Sequence, residues 1–172
     1  MIPIKYTLSD VVEKAIKPAY ALLPVSMRSR EATAMLLAIG LQESAFKYRR
    51  QIKGPARGFW QFEAAGGFRG VLQHRSTERH AAALLVERGH GGMIEREQFD
   101  LLEHDDVLAA GMARLLLWTD PKALPALNRP DDAFEYYLRT WRPGAYTRGA
   151  TEQRTEIRAR WNRAYGEAMQ YA

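Results

Sequence analysis

The sequence predicts an all-α fold in one compact domain covering residues 1–172. Three observations carry that expectation. Apolar residues recur at spacings of three and four nearly throughout, the period of a helix face. No stretch alternates apolar and polar residues long enough to read as a strand. No repeat, low-complexity tract or linker interrupts the chain.

Each element follows from local chemistry. Asp10 is expected to cap a first helix whose face carries Val11, Val12, Ala15 and Ile16, with Pro24 closing the region. Ser29 caps a second helix with the stripe Ala32, Met35, Leu36 and Ile39. Ser76 opens a third, with Ala81, Leu84 and Leu85 inward and Gly89 at the stop. Asp105 or Asp106 begins a strongly apolar helix of Val107, Leu108, Gly111, Met112, Leu115 and Leu116, ended by Pro121. Pro130 suits the first turn of the next, where its missing N–H costs nothing. That helix carries Phe134, Tyr137, Leu138 and Trp141 before Pro143-Gly144. The last shows Ile157, Trp161, Ala164, Tyr165, Ala168 and Met169.

Composition narrows the chemistry. The apolar share of 47% and charged share of 26% are those of a folded globular chain. Without cysteine there is no disulfide framework, thiolate metal cage or thiol nucleophile. Met1 to Lys5 leads into no apolar run, so no secretory signal is expected, and no stretch reaches the length of a membrane span. The net charge of +5 comes mostly from arginine and favours an anionic partner. In the last helix, Arg154, Arg158, Arg160 and Arg163 interleave with Glu152 and Glu156, the pattern of a solvated, ion-paired face. Nucleic acid is therefore the weaker choice of partner. His74, His80, His90 and His104 lack metal-helix spacing and read as surface or loop residues; neither metal nor cofactor is expected.

Two polar or glycine-rich connections, Lys47 to Arg57 and Glu63 to Gly70, stand where a binding groove takes its walls. Beside them is a misplaced carboxylate. Glu43 follows Ile39 by four residues and Leu36 by seven, on the buried stripe of the second helix. It also sits at that helix's C-terminal end, where the macrodipole disfavours an anion. Burial and dipole both raise a carboxyl pKa, the condition for a general acid. The alternative is a helix ending at Gln42 with Glu43 in water.

Leu41-Gln42-Glu43-Ser44-Ala45-Phe46 resembles the segment around the catalytic glutamate of lytic transglycosylases with a lysozyme-like fold. In that family a Glu-Ser pair ends a helix and a Gly-Leu-Met-Gln motif follows some fifteen residues later. Here Gly58 stands fifteen residues after Glu43, in Ala56-Arg57-Gly58-Phe59-Trp60-Gln61. Gly111 matches the small residue of a later apolar helix, and Phe134 to Gly144 matches the family's tyrosine-bearing segment facing the acid, without its asparagine. Phe59-Trp60 replaces Leu-Met.

The resemblance implies cleavage of the β-1,4 bond between N-acetylmuramic acid and N-acetylglucosamine in bacterial peptidoglycan. Glu43 would be the single catalytic acid and base. Ser44, Gln61 and Tyr137 would contact substrate or acid, and Phe59 and Trp60 would offer flat faces to sugar rings. Glu63 is the foremost candidate for a second carboxylate, ahead of Glu135; a single-acid transglycosylase is favoured over a water-using muramidase. Lacking a signal, such an enzyme would be made in the cytoplasm and delivered to the wall by a phage particle or lysis system, with other virion proteins as partners. The competing reading keeps the lysozyme-like fold but makes the domain an inactive structural or wall-binding component of a virion.

Overall fold

A computed structural model describes residues 6–172. The leader expectation for Met1 to Lys5, and those five positions of the single domain, lie outside the described residues.

The described chain is helical, with isolated β-bridges and no named strand. The first helical run joins α1 (Leu8–Val11) to α2 (Lys17–Leu22) through a π-helical stretch, Val12–Ile16. Its cap is Thr7, not Asp10: the Thr7 hydroxyl accepts from Asp10 N, and the Asp10 carboxylate accepts from Thr7 N, both at 3.1 Å. Asp10 is the reciprocal member of a capping box, which satisfies two orphan donors instead of one.

The central rod is α3 (Arg30–Glu43), capped by Ser29 through Ala32 N at 3.0 Å. Its expected stripe is buried, and so are Thr33, Ala34, Leu37, Ala38 and Gly40 on the other faces. A helix apolar on nearly all sides is a core helix. The segments α4 (Arg69–Gln73) and α5 (Glu78–Glu87) follow a π-helical turn, Ala64–Phe68. The third helix therefore begins after Thr77 rather than Ser76. The Ser76 hydroxyl bonds His74 Nδ1 at 2.8 Å instead, and Ala81, Leu84 and Leu85 point inward as expected. A short α6 (Glu95–Asp100) has no counterpart in the sequence reading.

Asp105 caps α7 (Asp106–Trp118) through Leu108 N at 2.9 Å. Gly111 on α7 lets α5 approach: a Cβ there would lie 2.5 Å from Leu84 Cδ2. Pro130 opens α8 (Pro130–Trp141), and a short α9 (Gly144–Arg148) leads to α10 (Thr151–Ala168). Ile157, Trp161, Ala164, Tyr165 and Ala168 of α10 are buried, and α10 lies against α3. The expected pairing of arginines along α10 gives way to cross-links. Arg158 pairs with Asp131 of α8, and Arg154 donates to the carbonyls of Tyr146 and Thr147 at 3.0 and 3.3 Å.

One hydrophobic cluster runs from Leu8 to Ala168. Each fully buried large side chain in it contributes roughly 1.5–3 kcal/mol. Among the described residues no helix is long and apolar enough to cross a membrane. The three-dimensional role of the cluster is to hold the C-terminal end of α3, the Tyr137 stretch of α8, the Trp161 stretch of α10 and the 57–62 turn at one place.

Candidate active site

Glu43 is the last residue of α3. The residue is only partly exposed. Burial raises its carboxyl pKa from 4.5 to about 7, against a downward pull from Tyr137 and Arg160 and a small upward push from the charge of Glu63. The carboxyl thus keeps its proton over much of the neutral range and can release it there, which suits one group acting as both acid and base.

Tyr137 reaches it from α8. Its hydroxyl donates to Glu43 Oε1 at 2.6 Å, a short bond that favours the ionised form of the carboxyl. Burial, followed by the neighbouring carboxylate, raises the phenol pKa, so Tyr137 remains a donor. The ring is fixed from behind. Trp161 of α10 stacks on it with centroids 4.8 Å apart and an interplanar angle of 18°. Tyr136, its neighbour, points away and donates to Leu117 O at 2.8 Å.

The third wall is a tight hairpin. Arg57 and Phe62 exchange both backbone hydrogen bonds at 2.9 Å around Gly58-Phe59-Trp60-Gln61. Gly58 has φ +74°, and a Cβ there would lie 2.8 Å from Leu102 O, so the turn demands glycine twice over. Gln61 also adopts positive φ, at +50°. Its side-chain amide closes the turn by donating to Gly58 O at 2.9 Å.

Ser44 fastens this hairpin to α3. Its hydroxyl donates to Phe59 O at 2.7 Å and accepts from Phe46 N at 3.1 Å. It is buried, and its hydroxyl is used on backbone, so its part is positioning and not substrate contact. Phe59 and Trp60 are corrected more sharply. They are 1% and 0% exposed, packed edge-on against Phe46, so they present no face to a sugar. The Trp60 indole donates to Leu36 O at 2.8 Å, and Trp60 O accepts from the Trp141 indole at 3.0 Å. Two aromatics flanking a glycine turn carry the same local signature whether they face in or out. Only the tertiary fold decides.

Glu63 is exposed and Glu135 of α8 is exposed. Glu63 feels Glu43 through space. Arg160, whose charge also bears on Glu43, was not among the sequence candidates for the site; helix α10 brings it there through its packing on α3, which no local pattern encodes. His90 stands in the loop after α5, as a loop reading expects, partly buried with Nδ1 unpartnered and Nε2 3.6 Å from Asp105, and His80 is a partly exposed residue of α5. No group of three or more potential metal ligands gathers among the described residues.

The arrangement is thus a protonatable carboxyl, a fixed phenol donor and a nearby guanidinium, around a helix end locked to a hairpin. Compared with known proteins, the chain matches no family model, no curated protein and no solved structure.

Proposed function

We propose that this protein is a peptidoglycan-cleaving glycosidase of lysozyme-like type that works with one glutamate, and that it acts as a lytic transglycosylase. The observation that carries the reading is the Tyr137 hydroxyl on Glu43 Oε1 at a helix end where burial lifts the carboxyl to about 7.

The chemistry follows from that pair. Protonated Glu43 gives its proton to the glycosidic oxygen as the bond from the muramic C1 breaks, and the bond's electron pair leaves with that oxygen. The substrate's own N-acetyl oxygen stabilises the cationic centre, so no second carboxylate is needed. Glu43, now a carboxylate that accepts from Tyr137 and feels the positive charge of Arg160, takes the proton of the muramic 6-hydroxyl as that oxygen bonds to C1. The acid is restored and a 1,6-anhydro end is left. Attack by water in place of the 6-hydroxyl would give a reducing end.

A second reading, wall binding without cleavage, draws on the burial of Phe59 and Trp60, which leaves those two aromatic faces unavailable to a sugar. Digestion of purified peptidoglycan separates the two. The expected result is soluble anhydro-muropeptides with the native chain and none with Glu43→Gln. Pelleting with the wall without any fragment release establishes the second reading; identical fragments from both proteins remove Glu43 from the chemistry.

A further inference from the structure

The connection from α3 to the Gly58 hairpin forms a basic finger. Residues 47–57 carry Lys47, Arg49, Arg50, Lys53 and Arg57 and no acid. Backbone bonds fix its shape. An antiparallel bridge pairs Arg50 with Arg57, and Gly58 N donates to Arg49 O at 2.7 Å. Gln51 N donates to Ala56 O at 3.1 Å, Gly54 N to Gln51 O at 3.3 Å, and Ala56 N to Gln51 Oε1 at 3.3 Å. Three donors of the tip are thus satisfied within the loop, and Pro55 has none to offer.

The five cations fall into two groups. At the base, Arg49 is held by both carboxylate oxygens of Asp106, at 2.9 and 2.7 Å, and Arg57 stands 3.3 Å from Glu103. Lys47, Arg50 and Lys53 are exposed and form no ion pair among the described residues. Among these three stand two uncovered apolar side chains, Ile52 at 70% exposure and Tyr48 at 50%.

An ordered loop with an aliphatic tip flanked by free cations matches a bilayer bearing anionic headgroups. The charges meet the headgroup layer, and Ile52 and Tyr48 enter the interface beneath it. Nucleic acid would answer the charge but not Ile52. Single strands are gripped by stacking planes, of which the finger shows one, and phosphates take backbone N–H groups that the tip already uses internally.

We propose that the 47–57 finger docks this protein on an anionic lipid surface, with Lys47, Arg50 and Lys53 on the headgroups and Ile52 and Tyr48 in the interfacial layer. The docking does not rest on the Glu43 chemistry. Each exposed cation at such a surface changes partitioning about fivefold, so three of them with one aliphatic tip give a reversible, salt-sensitive attachment.

The test is cosedimentation of the full chain with vesicles of phosphatidylcholine alone, or of phosphatidylcholine and phosphatidylglycerol in equal parts. Pelleting is expected with the mixed vesicles only, and it should fade as salt is raised. A nitroxide-labelled lipid in those vesicles should broaden the methyl resonances of Ile52 more than those of Val25, which is exposed just before the opposite end of α3. Lys53→Gln and Ile52→Ser, both at exposed positions, should each weaken partitioning about fivefold. Arg163→Gln, which removes the same charge from the exposed side of α10, should change it less than twofold. Glu43→Gln should pellet like the native chain. Absence of pelleting with mixed vesicles, equal pelleting with both kinds, an equal loss in Arg163→Gln and Lys53→Gln, or undiminished partitioning of Ile52→Ser overturns the proposal. So does retention on single-stranded DNA at a salt concentration that strips the chain from the vesicles.

Discussion

The two ends of α3 handle a buried charge in opposite ways. At the C-terminal end, Glu43 meets a phenol donor, and its carboxyl can discard charge by taking a proton near pH 7. At the N-terminal end, Arg114 meets a backbone carbonyl and an aromatic face, and a guanidinium has no neutral form within reach. The first end is therefore poised for proton transfer. The second keeps its positive charge through the range in which Glu43 titrates, although burial pulls its pKa down. Burial alone does not make a reactive site; the group must have a second charge state that the surroundings can hold.

The sharpest way to break this contrast is Glu43→Gln. It should lower muropeptide release by a factor of about 10² to 10⁴, the usual share of a general acid, measured by chromatography of digested sacculi. It should leave the Arg114 end unchanged.

Next is the pH dependence of stability. The carboxyl pKa is raised on folding from 4.5 to about 7, so between those values the folded chain holds a proton that the unfolded chain releases. The stabilisation is complete below about pH 4.5, declines as pH rises toward 7, and is gone above it; the total is about 3 kcal/mol. Urea unfolding at pH 5 and pH 8 should show this decline in the native chain and in Arg114→Met, and lose it in Glu43→Gln. A decline of equal size in Glu43→Gln would place the titrating group elsewhere.

Gly58→Ala probes only the Glu43 end. With φ +74° and Leu102 O in the way, it should cost about 2 kcal/mol of stability by urea unfolding. Smallest is Tyr137→Phe. The phenol bond pulls the Glu43 pKa down, so its loss should move the alkaline limb of the cleavage rate upward in pH and reduce the rate about tenfold, roughly 1.4 kcal/mol. An unmoved limb would separate Tyr137 from the acid.

Much of the frame was legible in the residues. Ser29, Asp105 and Pro130 start their helices as their side chains dictate, because caps are local. Glu43 could be singled out because a charged residue on an apolar stripe is a local contradiction, and Tyr137 because it shares the inward stripe of α8. What escaped was tertiary. The Phe59-Trp60 pair looked like a sugar platform and is core. Ser44 looked like a ligand contact and is a clasp between helix and hairpin. Asp10 looked like a cap and is the answering half of one, since a capping box presents two candidates three residues apart. The π-helical stretches and α6 leave no distinct hydrophobic period to read.

The Trp161 ring lying flat on Tyr137 has a consequence for how the Tyr137–Glu43 pair is set. A phenol wedged against an indole cannot swing aside and return, so its bearing on the carboxyl is decided once, when the chain folds. In the proposed glycan cleavage, each turnover would then begin from an already aligned pair, and the adjustment would fall on the incoming sugar chain.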